Sequence, residues 1–358
     1  MYFDPQPKTK KADLFGVEFT LQQLVQHLQD CSTRMIIIKG LRRTGKTSLL
    51  NVALEESKLN YVKIDVRDGP FYHREEFFRF LIERMREKIG ETFLEKLIKN
   101  ISSVKLAYDK FSAAVTLSKE ENFMLFFRAL NRQLEKQKKQ FVLALDEVQL
   151  LKAIKFDFLL ASIFDNYSRI KLVLTGSEVG LLDHFIGKED YSAPLYGRAN
   201  IKVELNRMKE EQVMQFLTIG SQQINRKISL SEMKEVVENF DGIMGWATQY
   251  GWLRLKNNSH ETAIREGKEQ GIKILKNELL LFLESRKAKD KYMIILQSLS
   301  KGNNSWSAIK TYLTQKKMKA TNHQLTFYLQ ELQDYGFIEK TEKGYYILDP
   351  LLLRMMRE

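Results

Sequence analysis

The sequence predicts an α/β protein: a phosphate-loop, five-stranded and mainly parallel sheet with helices on both faces, followed by a helical domain and a winged-helix domain. Three observations carry this. A β-branched run at residues 34–39, Arg-Met-Ile-Ile-Ile-Lys, leads through a glycine-bounded loop into a helical pattern. A second apolar run, Phe141-Val142-Leu143-Ala144-Leu145, ends in the carboxylates Asp146 and Glu147, as buried strands of parallel sheets do at their active edge. Residues 286–358 then change plan, to three short helices and a hairpin. A chain of 358 residues exceeds one ordinary core, and these shifts draw domain boundaries at 1–206, 207–285 and 286–358.

Composition narrows the class. Apolar residues are 44% of the chain and aromatics 11%, as in a globular protein. Uninterrupted apolar stretches such as 35–38 and 279–283 reach no more than five residues, far short of the roughly 18 residues of a membrane helix. No basic region followed by an apolar run opens the chain, and Cys31 is the single cysteine, which excludes an intrachain disulfide and a cysteine-based zinc site. The expectation is a soluble, cytoplasmic protein without a membrane partner. Lys and Arg number 57 against 45 Asp and Glu, giving +12. Residues 286–358 hold 13 basic and 7 acidic side chains and so carry half of that excess, a hint of nucleic acid that a basic soluble surface would also explain.

The elements follow in order. Thr20-Leu-Gln-Gln23 opens an amphipathic helix with a capping-box pattern. After the first strand comes Gly40-Leu41-Arg42-Arg43-Thr44-Gly45-Lys46-Thr47, matching G-x-x-x-x-G-K-[ST] at every fixed position, and Ser48 continues into a helix. Gly40 and Gly45 let the backbone approach anionic oxygens. The N–H groups from Arg42 to Ser48 and the helix's positive end cradle phosphates. Lys46 reaches the β- and γ-phosphates, and the Thr47 hydroxyl ligates Mg²⁺. Residues 61–65 read as a strand and 71–139 as helical, with apolar residues at three- and four-residue spacing over 75–89 and after the capping box Ser118-Lys119-Glu120-Glu121. Asp146 is the second Mg²⁺ partner, through water, and Glu147 is placed to polarise an attacking water as general base. A third apolar strand, 171–177, ends in Thr175-Gly176-Ser177, where Ser177 either meets the γ-phosphate or caps a turn. Residues 201–205 make the fifth strand.

Residues 207–285 carry helices only, one opened by Ser229-Leu-Ser-Glu232, with Gly242 and Gly245 interrupting before Trp246. The terminal module reads as helices at 292–299, 305–313 and 321–332, then strands at 337–340 and 345–348 around Gly344, a winged helix-turn-helix. Lys316, Lys317, Lys319, Asn322, His323, Gln324 and Thr326, with Lys340 and Lys343 on the wing, are its candidate DNA contacts. The third helix holds no Lys or Arg, so a protein surface stands beside DNA as its partner.

These pieces together resemble the archaeal ATPase family of the signal-transduction branch related to the AAA+ ATPases. The motifs that carry the resemblance are Phe15-Gly16-Val17-Glu18, the loop 40–47, Leu145-Asp146-Glu147 and Thr175-Gly176-Ser177. Ala193-Pro194-Leu195-Tyr196-Gly197-Arg198-Ala199, Asp241-Gly242-Ile243-Met244-Gly245-Trp246 and the winged helix complete them. The resemblance implies that Phe15, Gly16 and Glu18 border the adenine and that Arg198 senses the γ-phosphate, in its own subunit or a neighbour's. Val17 replaces the arginine usual in the family's F-G-R-E pattern, and Met244 stands where G-G-x-P-G has proline. It further implies ATP/ADP as ligand with Mg²⁺, and a slow ATPase acting as a molecular switch: Lys46, Asp146, Ser177 and Arg198 hold a closed state, and hydrolysis through Glu147 moves the winged helix. The alternative is a nucleotide-gated DNA-binding protein, initiator-like or regulatory. A phosphotransferase would leave Glu147 without a role. Both leading readings are compatible with an oligomer and with a protein partner.

Overall fold

The computed structural model describes residues 1–89, 120–188 and 190–358. The capping box at Ser118 and Lys119 and the helical reading of 90–119 lie outside them. In chain order the first part comprises α1 (Glu18–Gln29), β1 (Met35–Gly40), α2 (Lys46–Ser57), β2 (Asn60–Asp65), α3 (Arg74–Ile89), α4 (Glu120–Gln137) and β3 (Phe141–Asp146). A 3-10 helix (Val148–Ile154), α5 (Phe156–Asn166), β4 (Ile170–Gly176), α6 (Val179–Ile186) and β5 (Ile201–Leu205) complete it.

The five strands form one sheet in the order β2-β3-β4-β1-β5, and every pairing is parallel. Side chains alternate across a sheet, and here both faces are covered. Ile37, Leu143 and Leu172 pack under α3, α4 and α5, whereas Ile36, Ile38, Val142 and Val173 pack against α1 and α2. This is why the strands read as continuous apolar runs rather than alternating ones. The order also places the C-terminal end of β4 between those of β1 and β3, so that three motifs distant in sequence meet at one edge.

The helix expected to open at Thr20 begins two residues earlier. Gly16 takes a left-handed turn (φ 70°), and Glu18 bends back so that its carboxylate accepts the Gly16 N–H at 3.1 Å. That leaves Thr20 inside the first turn. The capping boxes at Ser229 and Thr321 form as the spacing predicts, each with its reciprocal bond from the third helical residue.

Four helices follow the sheet: α7 (Glu210–Gln223), α8 (Leu230–Phe240), α9 (Met244–Leu255) and α10 (His260–Glu284). Then come α11 (Lys289–Ser300), α12 (Trp306–Gln315) and α13 (Asn322–Asp334), the antiparallel hairpin β6 (Ile338–Thr341) and β7 (Gly344–Ile347), and α14 (Pro350–Arg357). Helix α14 has no counterpart in the sequence reading, although Asp349 followed by Pro350 is the pattern of a capped helix start. Asp349 caps it through the Leu351 N–H at 2.9 Å, and Trp246 donates to the same carboxylate at 2.9 Å. One apolar cluster runs from Phe3 through α7–α10 into the winged helix and α14.

The first residues are part of this core. Phe3 is fully buried and fills the space above Gly220 of α7 and Gly251 of α9, where any Cβ would collide with its ring. It anchors a strap along which the Lys8 N–H donates to the Ser48 hydroxyl at 3.0 Å, across the start of α2. Phe3→Ala should lower stability by about 3 kcal/mol, the usual cost of emptying a buried aromatic site. Urea unfolding measures that loss, and faster tryptic cleavage at Lys8 in the folded variant would report the strap's release.

Candidate nucleotide-binding site

A cavity of about 1080 Å³ lies between the sheet's C-terminal edge, the strap, the helical layer and the winged helix. Its floor is the loop 40–47. Gly45 caps α2 in the left-handed region (φ 95°), a conformation a Cβ disfavours. A Cβ at Gly40 would strike the Leu205 carbonyl of β5. Of the predicted loop residues, Arg42, Arg43, Thr44, Gly45, Lys46, Thr47 and Ser48 line the cavity.

Lys46 is 5% exposed, and its ammonium donates to the Gly40 and Leu41 carbonyls at 2.9 and 2.6 Å. Burial pulls its pKa down to about 8, against the fields of Glu147 and Asp146, which raise it. Behind it, the Thr47 hydroxyl donates to one Asp146 oxygen at 2.7 Å and the Thr175 hydroxyl donates to the other. Asp146 is completely buried. A hydroxyl and a carboxylate at the phosphate loop are hard oxygen donors that suit Mg²⁺.

Glu147 leaves β3 with a left-handed backbone (φ 57°), which turns its carboxylate toward β4. One oxygen, Oε2, accepts the Ser177 N–H at 3.1 Å, the Ser177 hydroxyl at 2.9 Å and the Gln149 amide at 2.8 Å. Ser177 therefore holds Glu147 in this structure. Glu178 accepts from Arg42 and, at 3.4 Å, from Gln149. Burial pushes the Glu178 carboxyl up, opposed by Arg42. The opposite wall is clamped to the loop: Glu278 of α10 pairs with Arg42 at 2.8 Å and Arg43 at 2.7 Å. The Arg43 guanidinium lies 4.4 Å from the Trp246 ring centroid, and the Gly245 N–H donates to the Arg43 carbonyl at 2.9 Å.

Phe15, Tyr2 and Phe216, with ring centroids 5.5–5.7 Å apart, form an apolar patch of the cavity wall beside Gly16 and Met208, a surface on which a flat ring can stack. Phe15 and Gly16 line the cavity, whereas Glu18 is turned to the Gly16 N–H and is absent from the wall. Arg198 is also absent from it: its guanidinium forks onto Asp165 at 3.0 and 2.5 Å, and the chain's own fold does not bring it to the loop. The sequence reading missed Gln149, Glu178, Glu278 and Tyr2. The first two stand within two residues of Glu147 and Ser177, a local signal. The others reach the site only through long-range packing.

The fold and this edge define a phosphate-loop ATPase. Residues 17–245 match the family of ATPase domains found predominantly in Archaea, and the chain belongs to that family. Residues 286–348 match the winged helix-turn-helix domain at the C-terminus of MCM proteins. The Walker-type ATPase PABY2304 of Pyrococcus abyssi is 30% identical over 100% of both chains, with a TM-score of 0.83. The ORC2 protein of Aeropyrum pernix, solved in ADPNP–ADP complexes, is 16% identical over 99% of this chain and 96% of its own, with a TM-score of 0.61, a likeness of fold. No curated protein matches the sequence significantly. Among the described residues no helix is long and apolar enough to cross a membrane.

The Lys46 shift has a stability signature. With its folded pKa near 8 and the ordinary lysine value of 10.5 in the unfolded chain, the folded protein holds fewer protons than the unfolded chain between these pH values, so Lys46 contributes a rise in stability with pH across that window. Comparing denaturant unfolding at pH 8 and pH 10, this component should be present in the wild type and absent in Lys46→Met.

Proposed function

We propose that the protein binds ATP with Mg²⁺ and hydrolyses it slowly, as a switch whose nucleotide state is passed to the winged helix. The observation that carries this reading is the meeting of Lys46, Thr47 and Glu147 on the wall of one cavity, with Asp146 buried directly behind Thr47 and bonded to its hydroxyl, where the other two modules face the loop. The base stacks on the patch of Phe15, Tyr2 and Phe216, and the phosphates lie over the N–H groups of 42–48. Lys46 leaves its loop carbonyls for the phosphate oxygens, a stronger, charge-assisted contact. When bound, Mg²⁺ neutralises phosphate charge, and Thr47 and Asp146 are the groups that would hold it. Glu147, anchored through Oε2, takes a proton from water on its remaining oxygen. Because Arg198 faces away from its own cavity, the γ-phosphate role implied for it falls to a neighbouring copy in an oligomer.

A second reading, DNA binding by the winged helix, has its own support. The acidic side chains of α13 are used inward: Glu331 pairs with Arg286 at 3.0 Å, and Asp334 meets His184 at 3.1 Å. The outward turns, Asn322, His323, Gln324 and Thr326, are exposed beside exposed Lys316, Lys317 and Lys319, with Lys340 and Lys343 on the wing. This leaves a positive, polar face suited to phosphates.

Glu147→Gln should lower the ATP turnover number by about 100-fold or more while the Kd for ATP stays within about 3-fold of wild type. Turnover and equilibrium binding, each with and without duplex DNA, test this. Equal turnover in both proteins overturns the role of Glu147, and DNA affinity that ignores salt concentration overturns the DNA reading.

A further inference from the structure

Residues 176–184 run from the carboxylate of Glu147 to the winged helix, and each polar or small residue on that path makes a contact. Gly176 ends β4, and a Cβ there would lie 2.5 Å from Gln149 Oε1, so its absence makes room for the Gln149 amide. The amide nitrogen must face the carboxylates, since an oxygen there would be repelled. It bridges Glu147 at 2.8 Å and Glu178 at 3.4 Å, leaving Oε1 buried without a donor. Ser177 binds Glu147 through both its N–H and its hydroxyl. Glu178 is the N-cap residue of α6 and accepts from Arg42 of the phosphate loop. Two residues later Gly180 abuts the backbone and side chain of Asp334 in α13 so closely that a Cβ would collide with it. One turn further His184 Nε2 meets Asp334 Oδ2 at 3.1 Å.

We propose that docking of α13 on α6 sets the position of Glu147, with Glu178 and Gln149 as positioning residues, so that the winged helix and the hydrolytic carboxylate report each other's state. The inference rests on Glu147 being the base of an ATPase. Its physical basis is the lack of slack. Helix α6 has eight residues and is pinned in the core by Leu182 and Phe185, both fully buried. No side chain at Gly180 can absorb a shift of α13. A displacement of α13 therefore tilts α6, and its N-terminal end carries Glu178 away from Gln149 or toward it. A second tie closes the loop: Arg42 also holds Glu278 of α10 at 2.8 Å. Arg286, just beyond α10, pairs with Glu331 of α13 at 3.0 Å. Both connections from the phosphate loop thus end on the same helix, the one whose outer turns are exposed to solvent. By linkage, whatever binds that helix and prefers one docking state changes nucleotide affinity by the factor by which nucleotide changes its own.

The test uses the full chain, hydrogen exchange with and without Mg²⁺ and a non-hydrolysable ATP analogue, and steady-state turnover. In the wild type the analogue should change exchange of the 322–334 amides by about 5-fold or more. In Glu178→Gln the analogue should still bind, with that remote response gone. Asp334→Ala should lower kcat by about 5-fold with KM for ATP unchanged, and should have no further effect in the Glu178→Gln background, because both act through one connection. A remote response of equal size in Glu178→Gln, or additive effects on kcat, overturns the proposal. So does a wild type that binds and hydrolyses ATP while 322–334 stays indifferent. If the wild type binds no analogue, the ATP reading falls first and this inference falls with it.

Discussion

A buried ammonium is the constraint around which this molecule is organised. Lys46 sits almost wholly buried at the start of a helix on the cavity wall, and a charge taken out of water must be repaid by close partners. Two loop carbonyls bind it directly, and the carboxylates Asp146 and Glu147 hold it in their field. Those carboxylates are buried too, and each needs donors. Thr47 and Thr175 supply them to Asp146, and Ser177 and Gln149 to Glu147. The demand then spreads outward: Glu178 shares the Gln149 amide and draws in Arg42, which with Arg43 draws in Glu278. Each step satisfies one charge and presents another, until the chain of pairs reaches the helical layer.

The consequence is that the three modules are held at the site by polar contacts together with the Tyr2–Phe15–Phe216 cluster, and away from it by apolar packing. A single hydrophobic cluster joins α7–α10 to the winged helix, so that layer and the terminal module share packing. They also meet the first module at the loop, by Arg43 over Trp246 and Glu278 on both arginines, and at α6, by Asp334 on Gly180. Charged and close-packed contacts of this kind depend steeply on geometry. An anion entering the cavity competes for the same arginines and lysine, which makes nucleotide the natural agent for repositioning one module against another.

Much of the fold was legible because its signals are local. The β-branched run before Gly40, the apolar run before Asp146 and the run ending in Thr175 each specify a two-sided buried strand from neighbouring residues alone. The boxes at Ser229 and Thr321 specify helix starts in the same way. Local signals mislead where another bond takes over, as when Glu18 turning back to Gly16 starts α1 before Thr20; α14 was missed despite its own local signal, Asp349 as the cap before Pro350, which Trp246 reinforces from a distance.

The site divides along the same line. The phosphate loop and the carboxylates after β3 are contiguous motifs, and the sequence by itself determined which side chains stand at the ends of β1 and β3. Only the tertiary structure decided what those side chains touch. Strand order puts β4 between β1 and β3, which turns Ser177 onto Glu147; Asp165 captures Arg198; and Phe3, packed on Gly220 and Gly251, anchors Tyr2 against Phe216 on the cavity wall. The physical reason is that a motif encodes backbone shape and chemical type over a few residues, whereas a partner is chosen by packing between segments whose separation in sequence carries no information about their distance in space.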